Sequence, residues 1–157
     1  MGKEIERKFL VDHGKWQSLE KPIGERYRQG YLVMDPRKTI RVRLTETGGF
    51  LTIKGLSAGA TRPEYEYEIP VSDAAELLDS FSMAELSKIR YKISFRGHLW
   101  EVDEFLGDNA GLIVAEIELE NESDPFELPG WVAGEVTGEE KYYNSNLTVR
   151  PYKAWVL

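Results

Sequence analysis

Glu4-Ile5-Glu6-Arg7-Lys8 decides how the rest of this chain is read. In an extended strand alternate side chains share a face. Glu4, Glu6 and Lys8 therefore point one way, with successive Cβ atoms ~7 Å apart, and Ile5, Arg7 and Phe9 point the other. Two carboxylates so spaced suit a hard divalent cation, which takes oxygen ligands, and a lysine next along can meet an anion held by that cation. Taken alone, the pentapeptide reads more readily as an edge strand with a solvated charged face. What argues for a site is recurrence.

Outward from that stretch, alternation returns again and again. Arg41 and Arg43 stand opposite Ile40, Val42 and Leu44, and after the Gly48-Gly49 hairpin Lys54 stands opposite Ile53. Glu64, Glu66 and Glu68 oppose Tyr65, Tyr67 and Ile69. Lys88, Arg90 and Lys92 oppose Ile89, Tyr91 and Ile93, and Glu101 and Asp103 oppose Trp100 and Val102. Glu116, Glu118 and Glu120 oppose Ala115, Ile117 and Leu119. The pattern predicts eight strands, over 3–11, 24–34, 39–46, 50–55, 63–71, 86–96, 99–106 and 113–120, mostly joined by antiparallel hairpins. Asp35-Pro36 reads as a turn and 56–62 as a small-residue loop. A short helical turn falls in 12–21, with Trp16 and Leu19 inward. A clear helix covers 72–82, with Ser72 as N-cap and Ala74, Leu77, Leu78 and Phe81 on one face. Another short helix is expected over 142–149. The aromatic tail 152–157 is expected to dock onto the body.

The charges on these strands are sorted by sign. A solvated antiparallel face normally mixes signs, because like charges on adjacent strands repel. Each run could singly be a solvated or anti-aggregation face, and the Tyr and Trp residues could be plain core. Jointly, the sorting is relieved if a polyanion meets the basic strands and a divalent metal the acidic ones. A barrel closed with its charged faces inward would concentrate both.

Composition narrows the alternatives. The 157 residues suffice for one domain with a substantial core, and 41% hydrophobic with 30% charged residues is ordinary for a globular protein. A net charge of −7, from 20 basic and 27 acidic residues, argues against nucleic-acid binding through global charge. With no cysteine there is no disulfide or thiolate chemistry, and having only His13 and His98 argues against a multi-histidine zinc site. No apolar run spans a membrane and no signal-peptide pattern opens the chain, so a cytoplasmic location is expected.

The ordered set of motifs resembles the CYTH superfamily, the triphosphate tunnel metalloenzymes, and in length its short bacterial triphosphatases. The resemblance runs through Glu4-x-Glu6-x-Lys8, Gln29-Gly30-Tyr31-Leu32, Arg41-x-Arg43, Thr52-Ile53-Lys54, the glutamates from Glu64 to Glu68, Lys88-Ile89-Arg90-Tyr91 and Asp103. It continues through Glu116-Ile117-Glu118-Leu119 and Glu135-Val136-Thr137 to Lys141-Tyr142 and Asn144, nearly the whole chain. It implies a mainly β, α+β fold: an eight-stranded antiparallel closed barrel forming a tunnel, its interior charged and its helices packed outside. It implies Mg²⁺ or Mn²⁺ on Glu4, Glu6, Glu116 and Glu118. Phosphates would bind Lys8, Arg41, Arg43, Lys54, Lys88 and Arg90, with Lys141 a weaker candidate. Lys8 and Tyr31 would form a catalytic pair in which the ammonium lowers the phenol's pKa; Tyr31 could equally be packing. Glu64, Glu66, Glu68, Asp103 and Glu120 receive no role.

The resemblance further implies hydrolysis of a small triphosphate, inorganic tripolyphosphate foremost because no base-recognition motif is evident. The partner would be that substrate, with neither nucleic acid nor membrane, and a homodimer is an option. The alternatives are a class IV-type adenylyl cyclase, a thiamine or nucleoside triphosphatase, and a noncatalytic polyphosphate- or nucleotide-binding module. Cyclase members carry His-Phe before the Glu-x-Glu-x-Lys element, whereas Met1-Gly2-Lys3 stands here.

Overall fold

A computed structural model describes residues 2–35 and 37–155. Met1, Pro36 of the expected Asp35-Pro36 turn, and Val156 and Leu157 of the expected tail lie outside the described residues. Ten strands form one sheet: β1 (Glu4–Val11), β2 (Glu25–Asp35), β3 (Lys38–Leu44), β4 (Gly49–Gly55), β5 (Thr61–Arg62), β6 (Glu64–Ile69), β7 (Ala84–Phe95), β8 (His98–Phe105), β9 (Ile113–Glu118) and β10 (Val132–Glu135). Every pairing is antiparallel, in the order β10-β1-β9-β8-β7-β2-β3-β4-β6, with β5 pairing β1 off this path.

This corrects the expected eight-stranded closed barrel twice. β5 falls inside the expected 56–62 loop and β10 in a Pro- and Gly-broken stretch, because strands of two and four residues are too short to show alternation. And no continuous ladder closes the sheet among the described residues. It does curl until its flanks meet. Lys54 of β4 reaches Glu4 of β1 at 3.2 Å, although five strands of the order lie between them. Only Pro63 divides β5, paired with β1, from β6, paired with β4. Proline has no N–H for a ladder, so the strand breaks there. The Glu64 amide then donates to Gly2 O at 3.3 Å.

Alternation decides what lies on each face. On the outer side of β1, Ile5, Phe9 and Val11 join Trp100 and Val102 of β8 and Ala115 and Ile117 of β9 in the main core. Trp16 and Trp131 cover it, from α1 (His13–Ser18) and the run into β10. Asp12 caps α1 by accepting from the Lys15 amide at 3.0 Å. A second outer cluster lies under α2 (Val71–Phe81), where Ala74 and Leu78 meet Val42. Gly30 permits this approach, since a Cβ there would stand 2.9 Å from Leu78 Cδ2 and 2.8 Å from Ser82 Cβ. The helix begins one residue before the expected Ser72, with Pro70 at the cap position and no side-chain cap bond. Ser72 is therefore inside the first turn and not the cap. The third helix, α3 (Asn144–Val149), seals one end of the inner face. There Leu147 and Tyr142 pack on Leu86, Phe105 and Val114, which share their strands' inward side with charged residues. The expectation of helices outside thus holds for α1 and α2 but not for α3. Trp155 packs on Tyr142 and Tyr152, so the described part of the tail does dock. No helix among the described residues is long and apolar enough to cross a membrane.

Candidate active site

The curl leaves a cavity of about 260 Å³ lined by the inward side chains. Glu4, Glu6 and Lys8 enter it from β1, Tyr31 from β2, Arg41 and Arg43 from β3, and Lys54 from β4. Lys88 and Arg90 enter from β7, and Glu116 and Glu118 from β9. Eleven of the twelve expected site residues are thereby brought together. Lys141 is the exception and is corrected: it is exposed on the outside, its ammonium 4.8 Å from the Trp155 ring centroid. Glu120 lies beyond the end of β9 and Glu68 is exposed, so neither joins the lining, whereas Glu64 and Glu66 do.

Most of the cations are ion-paired. Asp103, 1% exposed, holds Lys88 at 2.8 Å and grips Arg90 with both oxygens, at 2.8 and 2.9 Å. Arg90 reaches on to Glu116 at 3.1 Å, and Lys8 meets the other Glu116 oxygen at 3.4 Å. Lys54 is shared by Glu4 and Glu64, both at 3.2 Å. Arg41 donates to Thr52 Oγ1 at 3.2 Å and faces Glu66 at 3.7 Å, yet its buried Nε has no partner among the described residues. Arg43 donates through Nε to Gln29 Oε1 at 3.1 Å and lies over the Tyr27 ring. Burial, with Arg41 and Arg90 nearby, pushes its guanidinium down to about 10. Burial likewise pushes Lys88 down to about 7, against the pull of Asp103.

The expected Lys8–Tyr31 pair does not form. The Lys8 ammonium is engaged by Glu116, by Tyr142 O at 3.4 Å and by the Tyr143 ring. Burial alone would lower it, but Glu116 and Glu6 outweigh that and raise it. Tyr31 instead accepts from Gln29 Nε2 at 3.4 Å. Gln29 also donates to Asn144 Oδ1 at 3.0 Å, and the same oxygen accepts from Lys88 at 2.8 Å. Gln29 and Asn144 tie Tyr31, Arg43 and Lys88 together, and the charge pattern could not mark them, because neutral amides carry no sign to sort. Asp103 was visible in the alternation, but its role as anchor of two cations was not.

The carboxylates come in touching pairs. Burial, then the charges of Glu116 and Glu4, push the Glu6 carboxyl well above the usual range, and it hydrogen-bonds Glu116. Burial also opposes ionisation of Glu116, but Lys8, the bond with Glu6 and Arg90 hold it well below. Glu64 is raised by burial and its hydrogen bond to Glu4, while Lys54 and that bond overcome burial and lower Glu4. Glu118 is raised by burial and by Glu4 and Glu101. Two carboxyls share a hydrogen bond only around a proton, whose place a cation can take. Among the described residues no three His, Cys, Asp or Glu stand together as a complete metal site. The set fits a hard cation held by one or two carboxylates and completed by substrate oxygens and water, the habit of Mg²⁺.

Comparison with known proteins places the chain in a family. The CYTH domain model matches residues 2–152. An inorganic triphosphatase of Acetivibrio thermocellus is 52% identical over 154 residues, covering 98% of this chain and 97% of that protein. An inorganic triphosphatase of Nitrosomonas europaea is 35% identical over 155 residues, covering 93% and 97%. A crystal structure of an inorganic triphosphatase superposes with a TM-score of 0.64 at 31% identity, over 93% of this chain and 97% of that one.

Proposed function

The chain belongs to the CYTH domain family, and from that footing we propose that it is a metal-dependent hydrolase that cleaves inorganic tripolyphosphate to pyrophosphate and orthophosphate. The observation that carries this reading is the convergence of Lys8, Arg41, Arg43, Lys54, Lys88 and Arg90 on one cavity, with Arg41 Nε left unpartnered. A triphosphate chain supplies the missing acceptors, and guanidiniums meet its oxygens with paired donors. All these residues come from one chain, acting as a single domain. On this reading the cavity works as a tunnel whose wall is completed by the Lys54–Glu4–Glu64 ion pairs, where the backbone ladder is interrupted.

Glu6 and Glu116, with Glu4 and Glu118, would hold Mg²⁺ or Mn²⁺. Such a cation, when bound, neutralises phosphate oxygens and lowers the pKa of a bound water. The protein's own part is alignment and charge, which is most of what phosphoryl transfer asks of it. Arg41 and Arg43 orient the anion along β3. Lys88 and Arg90, fixed by Asp103, neutralise it from β7. Lys8, kept protonated by Glu116 and Glu6, meets the charge that develops on the leaving pyrophosphate. Tyr31, its hydroxyl held by Gln29, positions the attacking water in line with the terminal phosphorus.

Phosphate release from tripolyphosphate, thiamine triphosphate and ATP, with Mg²⁺, Mn²⁺ or excess EDTA, tests this directly. Tripolyphosphate should be cleaved fastest and only with metal, and ATP should give ADP and orthophosphate. Cyclic AMP as the main product would make the protein a cyclase. Binding without turnover would make it a polyphosphate-binding module.

A further inference from the structure

We propose that Arg62 is a further substrate-positioning residue, binding a phosphate of the chain that Arg41 and Arg43 do not hold. The inference rests on the triphosphate reading above and adds a residue that no charge run contains. Arg62 lies on the two-residue β5, opposite Glu4 of β1, half-buried in the cavity lining. Its guanidinium is built in place. The Nε donates to Gly55 O at 2.9 Å, which fixes the rotamer. The guanidinium carbon lies 5.9 Å from the Tyr143 ring centroid, and the Tyr143 hydroxyl lies 3.3 Å from Ser57 Oγ, which fixes the ring.

What the guanidinium lacks is an anion. Its nearest acidic neighbours along the strands, Glu4 and Glu64, are both taken by Lys54. Among the described residues no carboxylate lies within 4.0 Å of Arg62. Of the cavity's cations only Arg43 shares that condition. Arg43 sits beside Arg41 on β3, whereas Arg62 sits across the gap, on the strand that meets β1. With Nε anchored, the two Nη groups present the forked edge that matches phosphate oxygens in pairs. A guanidinium held by its inner nitrogen, with its outer edge unengaged in an anion cavity, is a preorganised half of a phosphate contact. Among the described residues its side chain makes no hydrogen bond or ion pair with Tyr31 or with the paired carboxylates, although its backbone pairs with Glu4, so its effect falls on binding rather than on bond cleavage.

The test compares the full-length wild type with Arg62→Ala, Arg62→Gln and Arg62→Lys. Gln keeps a donor for Gly55 without the charge, and Lys keeps the charge without the fork. The inference expects KM for tripolyphosphate to rise roughly tenfold to a hundredfold in Ala and Gln, with kcat nearly unchanged. Lys should recover part of the loss, and melting temperatures should stay close to wild type. A KM for Arg62→Gln within about twofold of wild type, or a fall confined to kcat, overturns it. Calorimetric titration with tripolyphosphate in EDTA separates this inference from the reading it rests on. If the wild type binds in EDTA and still does not cleave once Mg²⁺ or Mn²⁺ is supplied, the hydrolase reading fails, and weaker binding by Arg62→Gln still upholds Arg62. Equal binding by the two proteins removes Arg62 whatever the wild type cleaves.

Discussion

Asp103→Asn is the substitution in which the fold and the site are hardest to separate. Asp103 is 1% exposed and satisfies two cations that are themselves buried, Lys88 at 2.8 Å and Arg90 through two oxygens. Asn preserves shape but removes the charge, leaving the Arg90 guanidinium to lean on Glu116 and Glu101 and the Lys88 ammonium with no carboxylate of its own among the described residues. Breaking a buried pair from one side costs about 3–5 kcal/mol, because the remaining charge stays buried. At about 2–4 °C per kcal/mol for a chain of this size, the melting temperature should fall by roughly 6–20 °C. The sign with pH follows from the Asp103 carboxyl, which Arg90 and Lys88 lower in spite of burial. Its stabilisation is present above its unfolded value near 3.9 and is lost only as pH falls through the lower folded one. The deficit should therefore persist through mildly acidic and neutral pH and close only in strong acid. Thermal scans in EDTA across that range measure it. Added tripolyphosphate should restore part of the deficit, since it returns negative charge to Lys88 and Arg90. A variant that melts within about 2 °C of wild type at neutral pH would refute the assignment of Asp103 as the anchor of both cations.

Glu6→Gln should be at least as heat-stable as wild type in EDTA and gain with rising pH, because an acid held above its usual range destabilises the fold once it must ionise. The stabilisation that Mg²⁺ or Mn²⁺ gives the wild type should disappear; a drop of more than about 5 °C without metal would instead make Glu6 structural. Arg43→Ala should fold normally yet raise KM for tripolyphosphate roughly tenfold to a hundredfold, and unchanged kinetics would remove it from the site. Affinity for tripolyphosphate should weaken as pH rises through about 7, where free Lys88 loses its proton, and Lys88→Arg should flatten that dependence. A flat wild-type profile contradicts the idea. Lys141→Ala should leave kcat/KM untouched, because its ammonium rests on Trp155 outside the cavity; a large fall would put Lys141 back among the phosphate ligands.

Much of this was legible wherever a strand was long enough to alternate and its charges were of one sign. Arg41 with Arg43, Lys88 with Arg90, and Glu116 with Glu118 each announce an inward face, and period two alone places them together. Three things lay beyond that signal. Residues on short elements were invisible: Arg62 sits on a strand of two residues, inside a segment rich in Gly and Ala. Neutral polar partners were invisible as well, since Gln29 and Asn144 look like any amide until the cavity joins them to Arg43 and Lys88. And alternation continues past the point where a strand stops, which is why the expected strand ran on to Glu120 whereas β9 ends at Glu118. Which inward residues touch was likewise unreadable. Lys8 and Tyr31 share a cavity but not a hydrogen bond, because curl and the register shift between Tyr31 and Val33 set the distance, and neither is written in the periodicity.

The placing of β1 has a consequence for the order in which the molecule can be made. Its ladder partners are β9, β10 and the short β5, and not its chain neighbour β2. Glu6 pairs opposite Glu118, and Phe9 opposite Glu135. The β2–β3–β4 meander and the β7–β8–β9 meander assemble from neighbours in sequence, at little loop-closure cost. β1 must wait for β9 and β10, far along the chain. Until residues 113–135 emerge, Glu4, Glu6 and Lys8 have only two residues of β5 to pair with, and the cavity they line has no floor. A chain interrupted before β10 would present the acidic strand as an unpaired edge, with its charges as the main guard against association. On the proposed reading, competence to bind the anion thus waits on β9 and β10, and so does the protection of β1.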